Sequence, residues 1–300
     1  MKKSVSLLLA ALMLTGALAG CGSSASTSVG AQDSSAADTG VSGAVTVISR
    51  EDGSGTRSAF VELTGVEEKN ADGQKVDNTT ADAEIANKTD VVLTSVAGNE
   101  KAIGYISLGA LNDTVKAVKV DGAEATVDNV KAGAYKLSRP FNIATKGEPT
   151  GVAKDFISFI LSREGQAVVT DNKYIAVNDA AESFVSDGSS GQIAVGGSSS
   201  VSPVMEKLIE AYKSVNPNAS IDLQTSDSTS GMTGAMDGTF AIGMASRELK
   251  DEEAAQLTGT AIALDGIAVI VNPANTIDEL SMDQIKSIYV GDITDWGDLA

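Results

Sequence analysis

The sequence has 300 residues, of which 42% are hydrophobic, enough chain for about two globular domains with sizeable cores. Lysine and arginine total 22 against 40 aspartate and glutamate, so the formal net charge of −18 opposes extended contact with nucleic acid or anionic lipid headgroups. The absence of histidine from the sequence excludes a Ser-His-Asp triad and a histidine-bearing zinc site. The single cysteine cannot form an intramolecular disulfide.

The N-terminal residues have the layout of a secretory signal. Two lysines precede an apolar run, Val5 to Leu18, that is too short to span a bilayer comfortably. The tetrapeptide Leu18-Ala19-Gly20-Cys21 resembles the lipobox of bacterial lipoproteins, in which the cysteine thiol receives a diacylglycerol group and becomes the mature N-terminus. We therefore expect a signal peptide over residues 1–20 and lipidated Cys21 at the head of a flexible tether, residues 21–43. An ordinary signal with an incidental cysteine is the alternative.

From Ala44 onward, short Val/Ile-rich runs alternate with amphipathic stretches, a pattern typical of an α/β protein. Strands are predicted at Val45–Ile48, Ala102–Ser107, Val115–Val120, Ile193–Val195, Ile221–Gln224, Phe240–Met244 and Ala261–Asn272. Helices are predicted over Val152–Val169, after Ser202 with Pro203 in the first turn, and after Ser281, where Gln284 completes a capping box. A Ser/Gly/Asp-rich stretch, Asp179–Gly191, separates two segments that share no sequence repeat.

Three junctions place a short run of Ser, Gly and Thr between a predicted strand and the start of a predicted helix. They are Asp52–Thr56 before Phe60, Gly196–Ser200 before Pro203, and Ser226–Gly231 before Met236. A helix N-terminus has unpaired N–H groups and a partial positive charge, so each junction can hold an oxyanion. None is a P-loop, because the Gly-Lys-Ser/Thr ending is missing. Each junction alone is also compatible with an ordinary turn or cap, but their threefold recurrence favours a small tetrahedral anion.

One of these junctions also carries a cation, Arg50. A guanidinium group can form two parallel hydrogen bonds to an oxyanion, and Asp52, two residues later, is expected to fix its orientation. Without histidine or clustered metal-binding carboxylates, the ordinary routes to phosphoryl hydrolysis are missing. We therefore expect a binding protein rather than an enzyme, with no metal and no cofactor.

The stretch Ser49-Arg50-Glu51-Asp52-Gly53-Ser54-Gly55-Thr56 resembles a signature of the phosphate-binding proteins that feed bacterial phosphate ABC transporters. Other stretches resemble the same family: Gly197–Ser200 before Pro203, Ser228–Gly231, Ile242–Arg247, Leu264–Asn272, Leu137–Pro140 and Ile293–Trp296. The resemblance implies a type II periplasmic-binding-protein fold, in which two α/β lobes enclose a ligand cleft. It also implies phosphate contacts from Arg50, Ser54, Gly55, Thr56, Ser199, Ser200 and Ser228, with Ser246 as a supporting residue.

Two features depart from the family pattern. The segment order is inverted, since residues 44–186 match the family's second part and residues 191–300 its first part, with a linker core at 187–190. The chain thus resembles a circular permutant, and a truncated or rearranged gene and a domain-swapped dimer are the alternatives. Arg247 also stands where the family often carries an acidic acceptor for the proton of hydrogen phosphate. Discrimination against sulfate is therefore open, unless Asp52 or another carboxylate takes that part.

The sequence as a whole predicts a lipid-anchored, extracytoplasmic receptor that captures inorganic phosphate for the membrane permease subunits of an ABC transporter. We expect a monomer without a nucleic-acid partner, in which both segments fold onto each other and the last residues lie beside Ala44. The alternatives are a surface lipoprotein or truncated product that keeps the fold without binding phosphate, or a receptor for another tetrahedral oxyanion.

Overall fold

The computed structural model describes residues 41–299. The predicted signal peptide, Cys21 and most of the predicted tether therefore lie outside the described residues. Within the described range, no helix combines the length and the apolar character needed to cross a membrane.

The described residues contain both strands and helices, which alternate over much of the chain. The strands are β1 (Thr46–Arg50), β2 (Glu67–Lys69), β3 (Lys75–Asp77), β4 (Glu84–Ala86), β5 (Ala102–Ser107), β6 (Lys116–Ala117), β7 (Lys119–Val120), β8 (Ser138–Thr145), β9 (Gly191–Ser198), β10 (Ala219–Ser226), β11 (Ile242–Ala245), β12 (Thr258–Val271) and β13 (Glu279–Leu280). The α-helices are α1 (Gly55–Thr64), α2 (Thr89–Ala97), α3 (Val127–Lys131), α4 (Gly151–Ile160), α5 (Arg163–Asp171), α6 (Ser202–Val215), α7 (Ser228–Asp237), α8 (Asp251–Ala254) and α9 (Met282–Val290). Short 3₁₀ turns cover Leu108–Ala110 and Trp296–Leu299.

One mixed sheet runs through the described part, with the strand order β10-β9-β11-β8-β12-β5-β1-β4 and with β6 also paired to β12. Strands β9, β10 and β11 are parallel to one another, and so are β1, β4 and β5. These two parallel groups are joined by β8 and β12, which are antiparallel to each other and to their neighbours β11 and β5. Since parallel strands end at the same edge, the helices that follow them begin together along that edge.

Two large hydrophobic cores flank this junction and define two lobes. The first core includes β1, β5, α9 and the end of β12 from Ile267 onward, so lobe 1 comprises residues 41–137 and 267–299. The second core includes β8, α4, α6 and the earlier part of β12 up to Ala263, so lobe 2 comprises residues 138–263, except that Ile175 packs into the first core. The crossing of β8 and β12 between the lobes confirms the expected two-lobed α/β fold of the type II binding-protein class.

Several predicted elements are confirmed. β5 has the predicted bounds, and α9 begins at the predicted capping box, in which the Gln284 N–H donates to Ser281 Oγ at 3.1 Å and the Ser281 N–H to Gln284 Oε1 at 2.8 Å. The first turn of α6 contains Pro203 as expected, although the N-cap is Val201 rather than Ser202. These local signals are reliable because the groups that form them are near in sequence.

Two predicted elements are wrong as continuous units. The helix expected over Val152–Val169 is two helices, because Ser162 caps α5 by accepting the N–H of Gly165 at 3.2 Å. The strand expected over Val115–Val120 divides into β6 and β7, because the N–H of Val118 donates to β12 while that of Lys119 donates to Asp278. In both cases the apolar pattern continues across a point where the backbone hydrogen bonds change partner.

The two ends of the described chain meet in lobe 1. The N–H of Val45 donates to the carbonyl oxygen of Thr294 at 2.8 Å, and that of Trp296 donates to Gly43 at 3.1 Å. Ala44 forms an isolated antiparallel bridge with Asp295. The expected closeness of the last residues to Ala44 is confirmed for this stretch, while Ala300 itself lies outside the described residues.

The predicted linker is held against lobe 2. Asp155 of α4 accepts hydrogen bonds from Ser186 Oγ at 2.8 Å and from the N–H of Asp187 at 2.9 Å. Burial opposes ionisation of this carboxyl, but hydrogen bonds from Tyr212, Asp187, Ser186 and Asn216 hold its pKa below the usual 3.8. The linker core is therefore part of lobe 2 and lies on its surface. The boundary between the two sequence segments at residues 187–190 does not coincide with the boundary between the two lobes.

Candidate oxyanion site

The N-termini of α1, α6 and α7 meet between the lobes. In lobe 1, α1 begins at Gly55 after the N-cap Ser54, whose Oγ accepts the N–H of Arg57 at 3.3 Å. In lobe 2, α6 follows the hydroxyl-rich end of β9, and α7 begins at Ser228. The lobes touch here, since Thr56 Oγ1 and Ser200 Oγ lie 2.7 Å apart. The three sequence junctions thus form one cradle.

Gly55 is the point of closest approach in this cradle. A Cβ atom at this position would lie 2.3 Å from Ser228 Oγ, 2.8 Å from Ser246 Oγ and 3.1 Å from Arg247 Cγ. A side chain there would therefore displace the hydroxyls of lobe 2. Glycine leaves the first N–H groups of α1 facing those hydroxyls, which is the arrangement that an anion at a helix N-terminus requires.

The lobe 2 side of the cradle is a network of buried hydroxyls. Ser198 Oγ donates to Ser246 Oγ at 3.0 Å, and the N–H of Ser246 donates to Ser228 Oγ at 3.1 Å. The N–H of Ser200 donates to Ser198 Oγ at 3.3 Å. These side chains are buried. Hydroxyl groups both donate and accept, so this side can adapt to either protonation form of an oxyanion.

Sequence reasoning missed two of the hydroxyls in this group, Ser198 and Thr89. Thr89 is the first residue of α2, and its Oγ1 lies 3.3 Å from Ser200 Oγ and 3.5 Å from Ser199 Oγ. The available signal was a further junction of the same kind, since Thr89 and Asp90 begin the Val-rich helix α2 shortly after β4. Ser198 belongs to the serine run that the resemblance singled out, but its contact with Ser246 depends on the pairing of β9 with β11.

Arg50 lies at the end of β1 and is 2% exposed. Its Nε and Nη2 donate to the two carboxylate oxygens of Glu51 at 2.7 and 2.8 Å, and Nη2 also donates to Ser199 Oγ at 3.1 Å. The guanidinium of lobe 1 thus reaches a hydroxyl of lobe 2. Its backbone N–H donates to the buried Tyr105 hydroxyl at 3.1 Å, which fixes the end of the strand.

The expected role of Asp52 in orienting Arg50 is wrong. The Asp52 side chain is 99% exposed and accepts a hydrogen bond from Arg57 Nη1 at 3.0 Å. Glu51 takes the orienting position because it directly follows β1, whereas Asp52 lies in the turn that leads to α1 and its side chain points to solvent. Asp52 therefore lies outside the cradle, and it is not placed to accept a proton from a bound anion.

Arg247 is held by a carboxylate of its own lobe. Its Nη1 and Nη2 donate to the two oxygens of Glu253 at 2.7 and 2.8 Å, and both side chains are buried. Burial alone would raise the pKa of Glu253, but the hydrogen bonds and charge of Arg247 outweigh it, so the pKa lies below the usual 4.5. Arg247 therefore reaches the cradle with its charge largely neutralised.

Within the residues that the structure describes, no group of three or more cysteine or carboxylate side chains is arranged to hold a metal ion. The cradle instead offers the donors that suit a small oxyanion: helix N-termini, hydroxyls and a guanidinium. Such a site between two lobes joined by crossing strands defines a class of protein. Residues 26–164 and 183–300 match the family described as PBP superfamily domain, and the chain belongs to that superfamily.

Comparison with individual proteins assigns the chain to one family within this superfamily. The chain is 49% identical over 301 residues to phosphate-binding protein PstS 2 of Streptococcus agalactiae, covering 99% of this chain and 98% of that protein. It is 47% identical over 297 residues to phosphate-binding protein PstS 2 of Streptococcus pneumoniae, covering 99% of each. A crystal structure of a phosphate ABC transporter phosphate-binding protein from S. pneumoniae is 48% identical, with a TM-score of 0.69 over 86% of this chain and 100% of that one. Within the superfamily, this chain belongs to the PstS family of phosphate-binding proteins.

Proposed function

We propose that this protein captures inorganic phosphate and delivers it to the membrane permease subunits of a phosphate ABC transporter. The observation that carries the proposal is the convergence of three helix N-termini, drawn from both lobes, on one cradle, where the buried guanidinium of Arg50 also donates to Ser199. Family membership supports phosphate as the anion, because the relatives that match over their whole length are named for phosphate binding.

The cradle supplies each kind of contact that hydrogen phosphate needs. Arg50 provides a full positive charge, and the N-terminus of α1 provides N–H groups at Gly55 and Thr56. The hydroxyls surround the anion from the other side, and closure of the lobes removes water and strengthens these interactions. The proposed phosphate contacts are Arg50, Ser54, Gly55, Thr56, Ser199, Ser200 and Ser228, with Ser246 and Thr89 supporting them.

Discrimination between phosphate and sulfate rests on the proton of hydrogen phosphate. Glu51 and Glu253 each accept a bidentate interaction from an arginine, so their oxygens are already engaged. The hydroxyl oxygens of the lobe 2 network remain as acceptors for that proton, and a neutral acceptor disfavours sulfate less strongly than a carboxylate does. We therefore expect phosphate to bind more tightly than sulfate, with sulfate binding still measurable.

The proposal does not include catalysis. The relatives are named as phosphate-binding proteins, one of them of an ABC transporter. The cradle offers hydrogen bonds and positive charge to an anion, and it does not pair a nucleophile with a general base. A phosphatase assay with a phosphate ester checks this part, and release of phosphate above the rate of a heat-inactivated sample would contradict it.

The N-terminal region extends the proposal to a location. Residues 1–20 are proposed to direct export, and lipidation of Cys21 is proposed to anchor the protein at the outer face of the cell membrane. Both lobes and both sequence segments build the cradle within one chain, which supports a monomer. Growth with labelled palmitate should label the wild-type protein and leave the Cys21→Ser variant unlabelled.

We also infer that the chain is a circular permutant of the more common family order. The full-length streptococcal relatives align from end to end, so they carry their segments in the order seen here. The contact of Val45 with Thr294 shows how little chain is needed to join these positions in the other order. A gene that joins position 299 to position 44 by a short loop and opens the linker at 188 should encode a protein that still binds phosphate.

Isothermal titration calorimetry with inorganic phosphate tests the main proposal. We expect one phosphate per chain, the same stoichiometry with arsenate, and no binding of planar nitrate at the same ionic strength. Absence of heat with phosphate up to millimolar concentration, in a protein that shows cooperative thermal unfolding, would overturn the proposal and favour the surface lipoprotein that keeps the fold without binding.

A further inference from the structure

A second buried arginine lies close to the cradle, in a motif that the proposed contacts leave without a role. Arg139 belongs to β8 and pairs across the sheet with Asp265 of β12, at the point where both strands cross between the lobes. Arg139 is 2% exposed and Asp265 is 1% exposed. Arg139 Nη2 lies 3.1 Å from Asp265 Oδ2.

This arginine has unused donors. Within residues 41–299, its Nε and Nη1 are buried and have no hydrogen-bond partner. A guanidinium carries five N–H groups, and burying them unpaired costs free energy that a purely structural side chain has no reason to retain. Buried donors without a protein partner are therefore available to a bound anion or to ordered water.

The strands that carry Arg139 and its partner Asp265 run from this point to the cradle on both sides. Three residues further along β8, Asn142 pairs with Ala245 and donates to the carbonyl oxygen of Arg247 at 2.9 Å, next to Ser246 of the hydroxyl network. On the other side, Asp265 accepts a hydrogen bond at 2.9 Å from Ser107, at the end of β5. β5 is parallel to β1, and β1 ends at Arg50.

The charges of this buried group influence one another. Burial raises the pKa of Asp265 to about 6 although Arg139 opposes the rise. Burial also lowers the pKa of Arg139, and the positive charge of Arg50 lowers it further. Two guanidinium groups therefore lie within electrostatic reach of each other in a buried region, each with one carboxylate partner, and a bound anion would stabilise both of them further.

We propose that Arg139 is a second guanidinium of the oxyanion site, whose charge and free N–H groups stabilise the anion, and that Asp265 limits how much of this charge the anion experiences. The inference rests on the proposed function, since it assumes the same bound anion. A role of Arg139 in anion binding and a purely structural role predict different effects of removing Asp265. If the ion pair merely held the crossing strands together, removal of either partner would impair binding in the same direction.

The test compares Arg139→Gln with Asp265→Asn, two variants that break the same ion pair from opposite sides and keep a polar side chain at each position. By phosphate calorimetry, we expect Arg139→Gln to weaken binding at least about tenfold and Asp265→Asn to tighten it about threefold. Arg163→Gln is the matched control, because it removes one positive charge from lobe 2 at a side chain that is 69% exposed, and its affinity should stay within about twofold of wild type.

Thermal unfolding without phosphate establishes that each variant is folded. If Arg139→Gln does not fold because it leaves Asp265 buried without a partner, the double variant Arg139→Gln/Asp265→Asn replaces it, and it too should bind at least about tenfold more weakly than wild type. Two results would overturn the proposed role of Arg139 without affecting the proposed function. One is equal weakening of phosphate binding by both single variants, and the other is wild-type affinity in folded Arg139→Gln or in the double variant. Failure of the wild type to bind phosphate would instead overturn the proposed function.

Discussion

The two sides of the proposed oxyanion cradle are built from different kinds of groups. Lobe 1 presents the charge of Arg50 beside the N-terminus of α1, whereas lobe 2, apart from the proposed Arg139, presents neutral hydroxyls from three stretches of its chain. Each side also has an arginine in a bidentate pair with a carboxylate, Arg50 with Glu51 and Arg247 with Glu253. The difference is that Arg50 donates across the cleft to Ser199, while Arg247 donates within its own lobe. The two arginines therefore do not differ in having a carboxylate partner, but in the direction of their remaining N–H groups.

The largest expected effect comes from removing the charge of lobe 1. Arg50→Ala should weaken phosphate binding by at least about 2 kcal/mol, about thirtyfold in Kd, with the fold intact. Arg50→Lys should also bind more weakly, because a point charge cannot replace the planar fork. Calorimetry measures both, with the exposed Arg163→Ala as control. If Arg50→Ala bound phosphate with wild-type affinity, Arg50 would not be a phosphate contact, and the proposed difference between a charged lobe 1 side and a hydroxyl-rich lobe 2 side would be wrong.

The next effect concerns stability rather than binding. Glu253→Gln leaves Arg247 without a charged partner, and we expect a loss of about 1–2 kcal/mol in the free energy of unfolding at pH 7. The pKa of Glu253 is lowered on folding, so its contribution is fully present above pH 4.5 and is lost as the pH falls through the folded pKa.

Thermal unfolding of wild type and Glu253→Gln across pH 3 to 7 measures this contribution. The two curves should converge at the acidic end, and a constant difference would contradict the assignment. In the same variant, the freed charge of Arg247 should raise rather than lower phosphate affinity. Weaker phosphate binding would mean that Arg247 serves the anion only when Glu253 orients it.

A series of anions sharpens the role of the lobe 2 hydroxyls. Phosphate and arsenate should raise the melting temperature to nearly the same extent at equal concentration, because they share shape and protonation pattern. Sulfate should protect less, with a Kd about tenfold higher, since it offers no proton to the hydroxyl acceptors. Complete absence of sulfate protection would instead indicate a carboxylate acceptor at the anion.

The smallest expected effect comes from a single hydroxyl. Ser200→Ala removes the Oγ that lies 2.7 Å from Thr56 Oγ1, and we expect a loss of about 1 kcal/mol, about fivefold in Kd. Ser220→Ala changes an exposed serine of β10 and is the matched control. If Ser200→Ala matched Arg50→Ala in its effect, the distinction between a charged side and a neutral side would be wrong.

Much of the cradle follows from the sequence because its parts are local. The strand, the Ser/Gly/Thr run and the helix that follows it are consecutive in the chain, so the junctions at Ser54, Ser200 and Ser228 are visible without any tertiary information. The same holds for the capping box at Ser281 and for most strands of the sheet. β8 was missed as a strand, since Pro140 and Asn142 interrupt its apolar pattern.

The tertiary structure decided which groups share the cleft and which charges cancel. Thr89 joins Ser200 only because β4 and β9 belong to lobes that meet, and Glu51 rather than Asp52 orients Arg50 because the turn before α1 points Asp52 to solvent. The pairing of Arg139 with Asp265 spans 126 residues and depends on the register of β8 with β12. Hydrophobic periodicity and capping signals act over a few residues, so they can be recognised in the sequence. Hydrogen bonds and ion pairs between distant residues depend on proximity in space, and this proximity arises only when the strands pair and the two lobes pack together.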